Sequence, residues 1–97
     1  MNIYDTITPK SGETFTTLLE HKNVKINCIV SSDSIEPVEY MQEDDEWFVL
    51  LEGKATLLIE DKKKILSKGD TLFIPAKTSH TVLDTQSGTV WLTVHIY

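Results

Sequence analysis

The sequence predicts an all-β, antiparallel fold of the sandwich or barrel kind. Three observations predict it. Threonine and β-branched residues dominate the chain. Turn signals recur about every 6–10 residues, as in sandwiches and barrels. The stretch 24–31 alternates cleanly, with Val24, Ile26, Cys28 and Val30 on one face and Lys25, Asn27 and Ile29 on the other. That period of two marks a strand whose faces meet different surroundings.

Each element follows in turn. Residues 1–12 read as an extended arm ending at Ser11-Gly12. Residues 14–21 fit a strand, but Phe15, Leu18 and Leu19 also fit one helical turn. His21-Lys22-Asn23 turns the chain into the strand 24–31, and Ser31–Ser34 with Pro37 marks a loop. The short segment 38–41 leads into the acidic run Glu43-Asp44-Asp45-Glu46. Trp47–Leu51 is apolar on both faces, which predicts burial on both sides, inside a sandwich or at a subunit contact. Glu52-Gly53 turns into the partner strand 54–60, with Leu57 and Ile59 on one face. Asp61-Lys62 turns again into Lys63–Leu66, and the run Lys62-Lys63-Lys64 reads as a solvated hairpin turn. Ser67–Asp70 is a tight turn before Thr71–Ile74, and Pro75 ends that strand because it cannot donate to a ladder. Residues 80–84 and 89–97 form the last hairpin, around Thr85–Gly88. The total is about eight or nine short strands in one domain spanning 1–97.

Composition excludes several classes. The 97 residues are 40% hydrophobic and 25% charged, which suits one small folded domain and not disorder, collagen or a coiled coil. No stretch approaches the roughly 18 apolar residues of a membrane span, and residues 1–20 lack a signal-peptide pattern. Cys28 is the single cysteine, so neither an internal disulfide nor a cysteine zinc cluster is expected. The expected location is the cytoplasm. Fifteen acids against nine bases give a net charge of −6, and every base is lysine. Nucleic-acid binders carry basic faces and use arginine on bases and phosphates, so no nucleic-acid partner is expected.

Two stretches carry the strongest signal. One is Glu46-Trp47-Phe48-Val49-Leu50-Leu51-Glu52-Gly53; the other is Gly69-Asp70-Thr71-Leu72-Phe73-Ile74-Pro75, followed by His80. Together they resemble the two motifs of the cupin superfamily, G-x5-H-x-H-x3–4-E-x6-G and G-x5-P-x-G-x2-H-x3-N. Glu46 and Gly53 match the second half of the first motif. Gly69, Pro75 and His80 match the second, with Lys77 in place of its second glycine and Asp84 in place of its asparagine. The resemblance covers roughly residues 24–97 and implies a double-sheet jelly-roll barrel.

The same resemblance implies a site and a departure from it. In the family, the motif histidines and glutamate hold a divalent metal. Here Tyr40 and Gln42 occupy the two motif-one histidine positions, as in a subgroup of small cupins; the other spacing would place Glu39 and Met41 there. The remaining ligand candidates are Gln42, Glu46, His80 and, if it points inward, His95. That set is poor for Zn²⁺ and lacks the two histidines of a non-haem iron triad, which leaves a weak Mn²⁺, Ni²⁺ or Fe²⁺ site. Without a metal, Glu46, His80, Tyr40 and Gln42 could satisfy one another as a polar network lining a pocket, since a buried carboxylate needs partners. Glu46 and His80 are then the candidates for acid–base catalysis.

Other residues fill out the expectation. His95 shares a face with Trp91, Thr93 and Tyr97, opposite Val90, Leu92, Val94 and Ile96. Either face could line the barrel. Phe48, Trp91 and Tyr40 are candidate pocket walls; the two tryptophans read equally as core or interface anchors. Cys28 reads as a buried hydrophobe and His21 as an exposed turn residue. Glu43, Asp44 and Asp45 read as a solvated loop at the barrel mouth, and Lys77 is the one base placed to meet an anion there. A homodimer is expected, because 97 residues cover both sides of a strand such as 47–51 only in part. The resemblance implies an exchanged arm, a role that residues 1–12 suit. Three functions follow: a cupin-type pocket for a small molecule, a metal-dependent dioxygenase, isomerase or lyase using Glu46 and His80, or a structural or regulatory dimer with a filled barrel.

Overall fold

The computed structural model describes residues 1–97. Nine strands form two antiparallel sheets, with no helix. They are β1 (Glu13–His21), β2 (Val24–Ser31), β3 (Glu39–Tyr40), β4 (Asp45–Glu52), β5 (Lys54–Ile59), β6 (Lys62–Ser67), β7 (Thr71–Ile74), β8 (His80–Thr85) and β9 (Thr89–Ile96). The larger sheet runs β1-β2-β9-β4-β7 and the smaller β3-β8-β5-β6, the double-sheet jelly roll expected. No helix is long and apolar enough to cross a membrane.

The inner faces are built by register. In the larger sheet Ile29 lies opposite Trp91, and Trp91 opposite Leu50. The core below the cavity is Phe48, Leu50, Ala55, Leu57, Leu66, Ile74 and Trp91, all buried. Phe48 meets Trp91 edge to face with centroids 5.3 Å apart, a favoured geometry for aromatic rings.

The segment 14–21 is wholly strand. β1 pairs with β2 along its length, with a bulge between Thr17 and Leu19. The extra residue, Leu18, shifts the alternation by one and makes the apolar spacing look helical.

Three further expectations take a more specific form. Within the single chain Trp47–Leu51 is buried on its inner side only: Phe48 and Leu50 are core, but Trp47 is 37% exposed on the outer face, the side for which a subunit contact is the expected cover. The lysine run is not a turn. Glu60 and Asp61, both at positive φ, make the two-residue turn, and Lys62, Lys63 and Lys64 begin β6. There they sit exposed on an edge strand, where lysine discourages pairing with another sheet. Thirdly, the acidic run is only partly solvated. Asp44 is 8% exposed, and Asp45 accepts a hydrogen bond from the Ala76 amide at 2.8 Å.

The outer face of the larger sheet is apolar. Near one end Cys28, Val30 and Val90 are buried, with Ile3 of the arm and Leu51 packed on them. Burial there pushes the Cys28 thiol above its ordinary value of 9.0. Toward the other end, Phe73, Trp47, Val94, Ile26 and Leu19 stand in register across all five strands. Phe73, Trp47 and Leu19 in this row are exposed.

Gly53 makes the β4–β5 turn at φ 90°, and a Cβ there would lie 2.8 Å from the Thr89 Cα. The close approach of two backbones requires glycine at this position.

Candidate functional site

Between the sheets, above the core, lies a cavity of about 160 Å³. Six strands deliver polar groups to it, Glu13 of β1 and Tyr40 of β3 among them. β4 contributes Glu46; β9 contributes Thr93 and His95; β8 contributes His80; β2 contributes Asn27. Strand alternation explains the set. Glu46 is opposite His95 and Thr93 is opposite both Phe48 and Asn27, so all face inward together. The Trp91 face of β9, with Thr93 and His95, is therefore the inner one.

Tyr40 and Gln42 line the cavity, whereas Glu39 and Met41 are not among its lining residues. Tyr40 is paired with His80 across β3 and β8, and their rings stack with centroids 5.9 Å apart. Gln42 donates from Nε2 to Glu46 Oε1 at 2.9 Å. The Lys77 amide donates to the Gln42 carbonyl oxygen at 2.7 Å, which ties the loop after Pro75 to this residue. Lys77 itself takes φ 61° at the position where the motif has glycine. Its ammonium lies 3.9 Å from the Glu43 carboxylate, both exposed.

Backbone and carboxylate partners orient the two histidines. His80 Nδ1 lies 3.1 Å from the Thr78 carbonyl oxygen, which only accepts, so Nδ1 carries the proton. A neutral His80 then keeps the lone pair on Nε2. His95 Nδ1 lies 2.5 Å from Asp44 Oδ2. Asp44 is the site residue that sequence reading placed in solvent. Its position directly before β4, two residues from Glu46, was the available signal.

On the opposite wall, Trp91 Nε1 donates to Ser31 Oγ at 2.9 Å, and Ser31 Oγ donates to Glu13 Oε2. Glu13 and Phe15, from the edge strand β1, complete that side. Neither was among the site candidates that the sequence offered, because the bulged β1 did not announce an inward face. One buried group is unsatisfied. Thr93 is 1% exposed, and its Oγ1 has no hydrogen-bond partner. Leaving such a hydroxyl bare costs roughly 1–3 kcal/mol.

The residues do not fit a metal centre. No three histidine, cysteine, aspartate or glutamate side chains converge as a group able to hold a metal ion. Gln42 and Glu46 partner each other through an N–H, and His95 partners Asp44. The ligand set Gln42, Glu46, His80 and His95 thus lines one cavity without forming a coordination shell.

Comparison with known proteins agrees with this architecture. The family model for the cupin domain matches residues 29–95. An uncharacterized protein of Methanocaldococcus jannaschii is 32% identical, over 81% of this chain and 70% of its own length. A Ralstonia eutropha structure provisionally described as a mannose-6-phosphate isomerase is 33% identical with TM-score 0.89, covering 99% of this chain and 95% of that one. A cupin superfamily protein from Desulfitobacterium hafniense shares the fold at 22% identity and TM-score 0.81, covering 99% and 88%. KdgF from a Halomonas species does so at 16% and 0.81, covering 88% and 80%. The motif residues, the two-sheet barrel and the matched domain agree: this chain belongs to the cupin family.

Proposed function

We propose that this cupin binds a small molecule in its barrel cavity without needing a metal to hold it. The unpartnered Thr93 hydroxyl carries the reading, because a ligand group would satisfy what the protein leaves bare. The surroundings support it. Oriented polar groups stand on rigid strands beside apolar walls, the usual composition of a ligand site. A barrel filled by side chains would leave no such space, so the purely structural reading is the weaker one. The metal-dependent reading needs converging ligands, and the geometry does not supply them.

The R. eutropha relative's description names a phosphorylated sugar. No lysine lines this cavity and the chain has no arginine, so a phosphate would lack its usual clamp. Lys77 is not among the lining residues, and its ammonium is already beside Glu43.

We also propose a homodimer. The in-register row Phe73, Trp47, Val94, Ile26 and Leu19 is an apolar stripe on the outer face, and a second copy is the occupant that would cover it.

A thermal-shift screen of fragments of up to about ten heavy atoms tests the pocket. Hits that stabilise the wild-type chain and fail on a Glu46→Gln, Thr93→Val variant are expected. Hits indifferent to that variant would contradict the reading.

A further inference from the structure

We propose that the cavity selects a small primary ammonium ion with an apolar body, and rejects anions. This rests on the reading of the cavity as a ligand pocket and adds the chemical class.

Charge is the first argument. Glu13 and Glu46 both line the cavity, and no lysine does. Each glutamate has one carboxylate oxygen engaged, by Ser31 and by Gln42 respectively. Both of those partners are neutral. The other titratable lining groups are Tyr40, His80 and His95, and the ring of His95 is already partnered by Asp44 through Nδ1. The wall therefore offers two carboxylates and no fixed cation. An anion entering it meets like charge in a partly desolvated space, which is strongly unfavourable, while a cation gains.

Shape is the second argument. The aromatic residues Phe15, Tyr40, Phe48 and Trp91 line the same space. Aromatic rings with carboxylates and no competing cation are the surroundings that bind organic ammonium groups. Thr93 Oγ1, buried and unpartnered, is an acceptor for an ammonium N–H. An engineered apolar cavity near 150 Å³ holds benzene, so about 160 Å³ suits a body of roughly six to ten heavy atoms.

The test uses benzylamine, benzyl alcohol and benzoate, which share a phenyl body and differ in charge. The full chain is titrated with each and followed by amide-correlated NMR, which also reports whether a variant is folded. Benzylammonium is expected to bind at least about tenfold more tightly than benzyl alcohol, with shifts at Thr93 and the Trp91 indole, while benzoate does not bind. Glu46→Gln should cut the preference for the amine over the alcohol. Thr93→Val should weaken both and leave their ratio nearly unchanged. Equal affinity for amine and alcohol, or tightest binding by benzoate, overturns the proposal and leaves the pocket standing. No cavity shift with any of the three overturns both.

Discussion

His95 on β9 and Asp44 at the entrance to β4 are joined at 2.5 Å, although 51 residues separate them in sequence. The pair anchors the loop before β4 to a central strand and holds the His95 ring beside Glu46. Asp44→Asn keeps the shape and removes the charge. It keeps an acceptor for the His95 N–H, so it should lower the unfolding free energy by about 1 kcal/mol, the difference between a hydrogen bond to a charged and to a neutral group. Urea unfolding of the variant checks this, and an unchanged midpoint would mean that the charge of Asp44 adds nothing to the bond.

Gly53→Ala should be more damaging than an ordinary loop change. The added Cβ would stand 2.3 Å from Thr89 Oγ1 and 2.8 Å from Thr89 Cα, at a φ of 90°. A loss of about 2 kcal/mol or more is expected, since backbone must move on one side or the other. The corresponding change at Gly69, which has nothing within 4 Å of its Cβ, carries only the backbone cost and should lose less.

Cys28 is buried, and its raised thiol value means that the folded chain favours the neutral thiol. The sign follows from linkage. The group's contribution to stability is complete below the ordinary value of 9.0 and is lost as pH rises past it. Thiol reagents should therefore label Cys28 slowly at neutral pH and quickly after denaturation. Rapid labelling of the folded chain would show that the cover from Ile3 and Leu51 is open.

Much of the fold was legible because strand alternation is a local signal. The faces of β2 and the breaks at Gly53, Gly69 and Pro75 follow from residue type and spacing alone. The bulge at Leu18 was not, since an inserted residue imitates helical periodicity. The turn after β5 falls at Glu60-Asp61, one residue before the expected Asp61-Lys62, because it uses two positive-φ residues that are not glycine. Within the site, Glu46, His80, Tyr40 and Gln42 stood out by motif position. Asp44 and Glu13 did not, because their partners come from distant strands and only the folded register brings them together.

The exposed row on the larger sheet predicts association. Size-exclusion chromatography with light scattering should give twice the 11.0 kDa chain mass. Trp47→Lys combined with Phe73→Glu should return the chain to monomer without unfolding it, as these side chains are exposed on the outer face. A wild-type mass of one chain at micromolar concentration would remove the dimer.

The central claim is that the cavity holds a ligand through its own side chains. The most direct test is an amide-correlated NMR titration of metal-stripped protein with the strongest fragment from the thermal screen. The account predicts saturable shifts at Asn27, Thr93 and the Trp91 indole, unchanged when Mn²⁺ or Fe²⁺ is restored. Binding that appears only after metal is restored, or shifts confined to the outer sheet, would contradict it.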